Sequence, residues 1–273
     1  MLSNRDEHKK LMVDWAGDRL SGTGRFIADG PFDWDEWEAA KLRVLFLLKE
    51  AYDKDAEPNR WPDDIFRGTP LAENWTLSSV VRDAFVKGPG SSIPRTWKNL
   101  FLWARALHNF DSTKPPMEEL PKDRGEIWKI LGRCAFVNLK KYGGATTSDG
   151  GDIQQHLGEA PSGNGKTNFD LIQQQIHLLA PDVVFCCGTY DILRSKAGRE
   201  SSGLLDHHHA NPDVKCGMWR SNGMTWIDYW HPGWFSVPSF LLLQGIFALQ
   251  VRFYGSQNPS GALWPSNTSA SGE

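Results

Sequence analysis

Short unbroken apolar runs alternate along the chain with longer stretches whose apolar residues recur every three or four positions. The first run is Val44-Leu45-Phe46-Leu47-Leu48, and it breaks off into Lys49-Glu50-Ala51-Tyr52-Asp53. A short run without polar alternation predicts a strand buried on both faces, hence parallel and central. Further runs at 134–139, 183–187 and 224–230 predict three more strands. Helical spacing fills the gaps. It predicts helices over 1–20 (Leu11, Met12, Trp15, Leu20), 33–41 with Asp33 as N-cap, 77–86 and 95–108. Others follow near 118–131, over 166–179, up to Ala197, and over the strongly apolar 237–253. Residues 53–75, 143–152 and 198–222 read as loops, rich in Pro, Gly or polar residues. Strands alternating with helices predict an α/β fold: a single three-layer α/β/α domain, 1–255, around a central, mostly parallel four-stranded sheet. Residues 256–273, rich in Ser, Asn, Gly and Pro, read as a flexible C-terminal tail.

Composition narrows this picture. A length of 273 residues suits one large domain. The net charge of −3 leaves no global basic field, so any nucleic-acid contact would need a local basic groove. The four cysteines lack paired zinc spacing, and Cys186 and Cys187 sit together in an apolar run. They read as buried free thiols in a reducing, cytoplasmic setting. No stretch approaches the roughly 20 apolar residues of a membrane span, and the N-terminal residues show no signal-peptide core. His207, His208 and His209 are adjacent, so they cannot all face one ion, and no metal is expected. The 13 tryptophans read either as packing anchors or as surfaces for stacking bases.

The strand ends carry the candidate chemistry. The first ends in Glu50, Tyr52 and Asp53, and the second in Asn138 and Lys140. The third ends in Gly188 and Asp191, and the last in His231. In a parallel sheet all four ends share one edge, where open α/β sheets bind ligands. A carboxylate there can orient water or stabilise a developing cation. A neutral imidazole can donate to a leaving group, and an amide can pair with a base edge. Each residue also has a plainer reading as a strand cap or solvated loop.

Four motifs in order, LLKEAYD (47–53), FVNLKK (136–141), PDVVFCCG (181–188) and WHPGWFS (230–236), resemble those of the uracil-DNA glycosylase superfamily, with this chain as a divergent member. The resemblance implies base flipping and hydrolytic release of a base, leaving an abasic site. It implies Asn138 pairing with the base edge and His231 stabilising the departing base. Glu50 or Asp53 would orient water, depending on register. Tyr52 and Trp75 would contact the base, Trp75 by stacking. Trp234 and Phe235 would form an apolar wedge. Lys49, Lys140, Lys141 and the 143–152 loop would meet DNA. The chain departs from the family at Lys49, at the absent proline of the first motif, and at Gly233, where a serine is usual. Cluster-binding cysteines of some branches are missing, so no cofactor is expected. The altered first motif and the long 53–75 and 198–222 segments favour a damaged or hypermodified base over plain uracil. Some members of the superfamily release bulky bases from phage DNA in antiviral defence. The expected partner is DNA, double- or single-stranded, bound by a monomer.

Two other classes stay open: a non-catalytic DNA- or base-binding module on the same fold, and an unrelated α/β enzyme using the same sheet edge. An ordinary uracil-repair enzyme is a third option within the resemblance. No G-x-S-x-G motif is present. The stretch ending Gly165-Lys166-Thr167 has Ala160 where a phosphate-binding loop needs glycine.

Overall fold

A computed structural model describes residues 3–16, 26, 28–52, 93, 95–109, 119–144, 150–161, 165–197 and 217–233. The fold is α/β, with helices around a mostly parallel mixed sheet. Six strands are described: β1 (Gly30–Pro31), β2 (Val44–Tyr52), β3 (Cys134–Gly144), β4 (Val183–Cys187), β5 (Gly217–Ser221) and β6 (Met224–Tyr229). Their order is β1-β3-β2-β4-β6-β5. The four inner strands, β3, β2, β4 and β6, are mutually parallel. They are the four strands that the apolar runs predict.

The expected count of four is corrected by an antiparallel strand at each margin. Both escape an apolar-run criterion for physical reasons. β1 is two residues long and contains proline, which only an edge strand tolerates. β5 pairs with β6 through Asn222-Gly223, both at positive φ (52° and 78°), a two-residue turn suited to a hairpin. That Asn-Gly signal stood in a segment read as loop.

The strand interiors explain the central run. Val44, Phe46 and Leu48 enter one buried cluster, and Leu45 and Leu47 enter another on the opposite face. The first cluster is completed by α3 (Arg95–His108) and α4 (Arg124–Gly132), both between β2 and β3 in the chain. The second takes α1 (Asn4–Ala16), α5 (Gly150–Gly158), α6 (Asn168–Leu179) and α7 (Tyr190–Ala197). The chain thus steps from β2 to β3 and then returns across β2 to β4 and β6, the reversal of strand order seen in doubly wound sheets.

The helices follow from local chemistry. α1 buries His8, Leu11, Met12, Trp15 and Ala16, one stripe at helical spacing. The short α2 (Trp34–Ala39) begins at Asp33, whose carboxylate accepts from the Asp35 and Glu36 N–H groups, so the expected cap is present. α6 opens with a reciprocal capping box between Thr167 and Asp170 and closes at Ala180, at φ 43°, just before Pro181. Two boundaries differ from expectation. α4 starts at Arg124, capped by Asp123, after Pro121 rather than near 118. The 143–152 loop shrinks from both sides, because β3 runs on to Gly144 and α5 begins at Gly150 with Ile153, His156 and Leu157 facing inward.

Candidate functional site

Parallel pairing places the carboxyl ends of β3, β2, β4 and β6 on one sheet edge. Leu48 lies opposite Asn138 and Glu50 opposite Lys140, and the register shifts before Tyr52 pairs with Gly144. Glu50 and Tyr52 are therefore at this edge by backbone position. Asp53, Trp75, Trp234, Phe235 and His207–His209 lie outside the described residues, as do Cys216, the 53–75 loop, the helices expected at 77–86 and 237–253, and the C-terminal tail.

The turn after β6 is built closely. The Gly188 N–H donates to the Tyr229 carbonyl at 2.7 Å, tying the end of β4 to that of β6. Gly188 sits at φ 68°, and a β-carbon there would meet the His231 Cβ at 3.3 Å. His231 Nδ1 accepts from the Gly233 N–H at 3.1 Å. With Nδ1 an acceptor, the proton of the neutral ring belongs on Nε2. Burial first, and the charge of Lys49 second, hold the His231 pKa down to about 4. At neutral pH the imidazole is thus an uncharged donor through Nε2. Gly233, a departure from the family pattern, has a local reason: a β-carbon there would sit 2.8 Å from Thr96 Oγ1 and 3.2 Å from the His231 ring.

Helix α3 holds this turn and bridges to β3. Asn99, fully buried, donates from Nδ2 to the Pro232 carbonyl at 2.6 Å. Trp97, half-buried, packs edge-on against Phe136 with ring centroids 5.3 Å apart. Phe136 precedes Asn138 by two residues and so shares its face of β3. The first turns of α3 therefore touch both the His231 turn and the face of β3 that bears Asn138.

Asn138 has an uncommon environment. It is 1 % exposed, and among the described residues neither its side-chain oxygen nor its side-chain nitrogen has a hydrogen-bond partner. Buried amides are normally satisfied, because stripping water from one without replacement costs about 1–3 kcal/mol. Its backbone N–H is satisfied, donating to Asp29 Oδ2 at 2.7 Å.

The lysines divide. Lys49 is half-buried and close enough to His231 to influence its titration. Lys140 is half-buried at the strand end. Lys141 corrects the expectation of a DNA contact. Its side chain is 0 % exposed, its ammonium lies 2.6 Å from Asp29 Oδ1, it donates to Gln175 Oε1 at 2.9 Å, and it sits over the Trp15 ring. It cannot reach a phosphate from there. The odd-numbered positions of β3 face the second core cluster, so alternation carried Lys141 inward.

Three participants escaped the sequence reading. Asn99 left a signal, a polar residue inside the apolar stripe of α3, whereas Thr96 and Asp29 left none. On the other face of β6, burial and then Asp191 push the Asp228 pKa up to about 7. Among the described residues no group of three or more His, Cys, Asp or Glu side chains is placed to hold a metal ion. Nor, among them, is any helix long and apolar enough to cross a membrane. Comparison with protein-family models, with curated proteins and with solved structures found no match.

Proposed function

We propose that this chain is a divergent uracil-DNA-glycosylase-like enzyme that flips a non-standard base, damaged or hypermodified, out of DNA and releases it by hydrolysis. The observation that carries the reading is the Asn138 amide, buried near the carboxyl ends of the parallel strands with donor and acceptor both unpartnered among the described residues. A base edge offers the complementary acceptor and donor. The neutral His231 ring, donating from Nε2, suits the second requirement, charge developing on a departing base.

In this reading the bond between C1′ and the base nitrogen breaks, its electron pair goes to the base, and Nε2–H of His231 stabilises that charge. Water adds to C1′ and gives its proton to the carboxylate that orients it, from which it passes through solvent to the released base. Glu50 or Asp53 orients the water, and an abasic site remains. Trp75 stacks on the flipped base, Trp234 and Phe235 fill the gap it leaves, and Lys49, Tyr52 and Lys140 contribute at the rim. The enzyme works as a cytoplasmic monomer on a single three-layer domain. Phage DNA with bulky bases is the substrate class, consistent with an antiviral role.

The test is to incubate the protein with uracil-containing DNA and with hydroxymethylated or glucosylated phage DNA, then count abasic sites. Abasic sites from the modified DNA are expected. Release from uracil-DNA alone would overturn the substrate class, and release from neither would overturn the activity in favour of a binding module.

A further inference from the structure

Strand β3 has β2 on one side and the short β1 on the other. β1 pairs only Gly30 with Phe136 and Pro31 with Ala135, so its ladder ends before Asn138. The N–H of Asn138 would be an orphan donor at a buried edge. Asp29, the residue before β1, takes that N–H on Oδ2 at 2.7 Å. Its other oxygen accepts from Lys141 Nζ at 2.6 Å and from Gln175 Nε2 at 2.9 Å. Gln175 also donates to the Asp29 carbonyl at 3.1 Å and lies 3.1 Å from His8 Nε2. The carboxylate of Asp29 is thus held from three directions by α6 and β3, with His8 of α1 closing the network.

A neutral acceptor would satisfy one N–H. Burying an aspartate and a lysine instead carries a desolvation cost that well-packed apolar residues avoid. What the charged pair adds is a fixed position for the backbone of Asn138, whose side-chain amide has no partner among the described residues. We propose that Asp29 and Lys141 are positioning residues, which hold Asn138 in register for recognition of the base. This rests on the glycosylase reading for its consequence, though not for its geometry.

The test compares two double variants of the full-length chain. Asp29→Leu with Lys141→Met replaces the pair by apolar residues and leaves the Asn138 N–H without an acceptor. Asp29→Asn with Lys141→Met is also uncharged but keeps an acceptor. Thermal midpoint, hydrogen exchange of the Asn138 amide by NMR, and abasic-site release from modified phage DNA are measured for both. The leucine variant is expected to lose about 100-fold in release, as a displaced binding group does, and to exchange its Asn138 amide at least about tenfold faster. The asparagine variant keeps an acceptor but loses the charged pair that fixes it, so it is expected to recover only part of both, staying about tenfold from the unmodified protein at a similar midpoint. Release and exchange that simply track the thermal midpoint in both variants would overturn the proposal. If the unmodified protein releases no base, the glycosylase reading falls while the exchange data still decide the positioning claim. If the leucine variant does not fold, the asparagine variant decides alone: a tenfold acceleration of exchange at Asn138 supports the proposal, and a native-like rate overturns it.

Discussion

Lys141 and Asn138 leave the same strand on opposite faces, and both are buried. Around Lys141 the protein supplies a carboxylate, an amide oxygen and an aromatic ring. Around Asn138 it supplies nothing to the side chain, although the backbone N–H of the same residue is capped by a charge. Among the described residues, Asn138 lacks partners at both ends of its amide, whereas Asn99 lacks one only at its oxygen. On the proposed reading, the difference separates a polar group that serves the fold from one that is kept ready for a base. It also shows why residue type misleads: the lysine looked like the DNA contact, and it is the one sealed inside.

The largest effect of a single substitution should come from breaking the satisfied side. Lys141→Met alone leaves the Asp29 carboxylate buried without its cation, and urea denaturation should show a loss of about 3–5 kcal/mol. A change under about 1 kcal/mol would mean that the network is not a unit.

The next test is pH, since each region contains a neutral histidine, buried at His8 and half-buried at His231. His8 beside the network and His231 in the turn both have their pKa lowered to about 4, chiefly by burial, as does His108 on α3. The unfolded values lie near 6.5. Between pH 6.5 and 4 the unfolded chain therefore binds up to three protons that the folded chain refuses, and stability falls as pH falls. Asp228 opposes this, because its folded pKa of about 7 lies above the unfolded 3.8, so the folded form takes up a proton first. Among the described groups the balance is about two protons, so stability should fall by up to about 2.7 kcal/mol per pH unit as pH drops from 6.5 toward 4, read as a falling urea midpoint. A midpoint that rises over this range would contradict the burial of these rings.

Much of this architecture was legible beforehand. The four apolar runs located the parallel strands, because strands buried on both faces leave an unmistakable continuous signal. Asp33 and the 95–108 helix were equally plain from capping chemistry and spacing. The edges were not, since β1 is too short for a pattern and β5 needs its hairpin turn to be recognised. At the site, Asn138 stood out as an amide inside an apolar strand, and His231 as an imidazole at a strand end. Asp29 could not be read, for it acts across 109 residues of chain on a single backbone N–H. Thr96 matters only through the missing β-carbon of Gly233.

The smallest expected change in stability is the most informative. Asn138→Leu removes an amide that has no partner, so the unfolding free energy should move by less than about 1 kcal/mol, or rise. The same variant measures the central claim most directly through abasic sites released from hydroxymethylated or glucosylated phage DNA. Set beside the unmodified protein at equal stability, it should lose about 100-fold or more in release, since a site built to hydrogen-bond its substrate fails without the bonding group. Undiminished release from a folded Asn138→Leu protein would contradict the account.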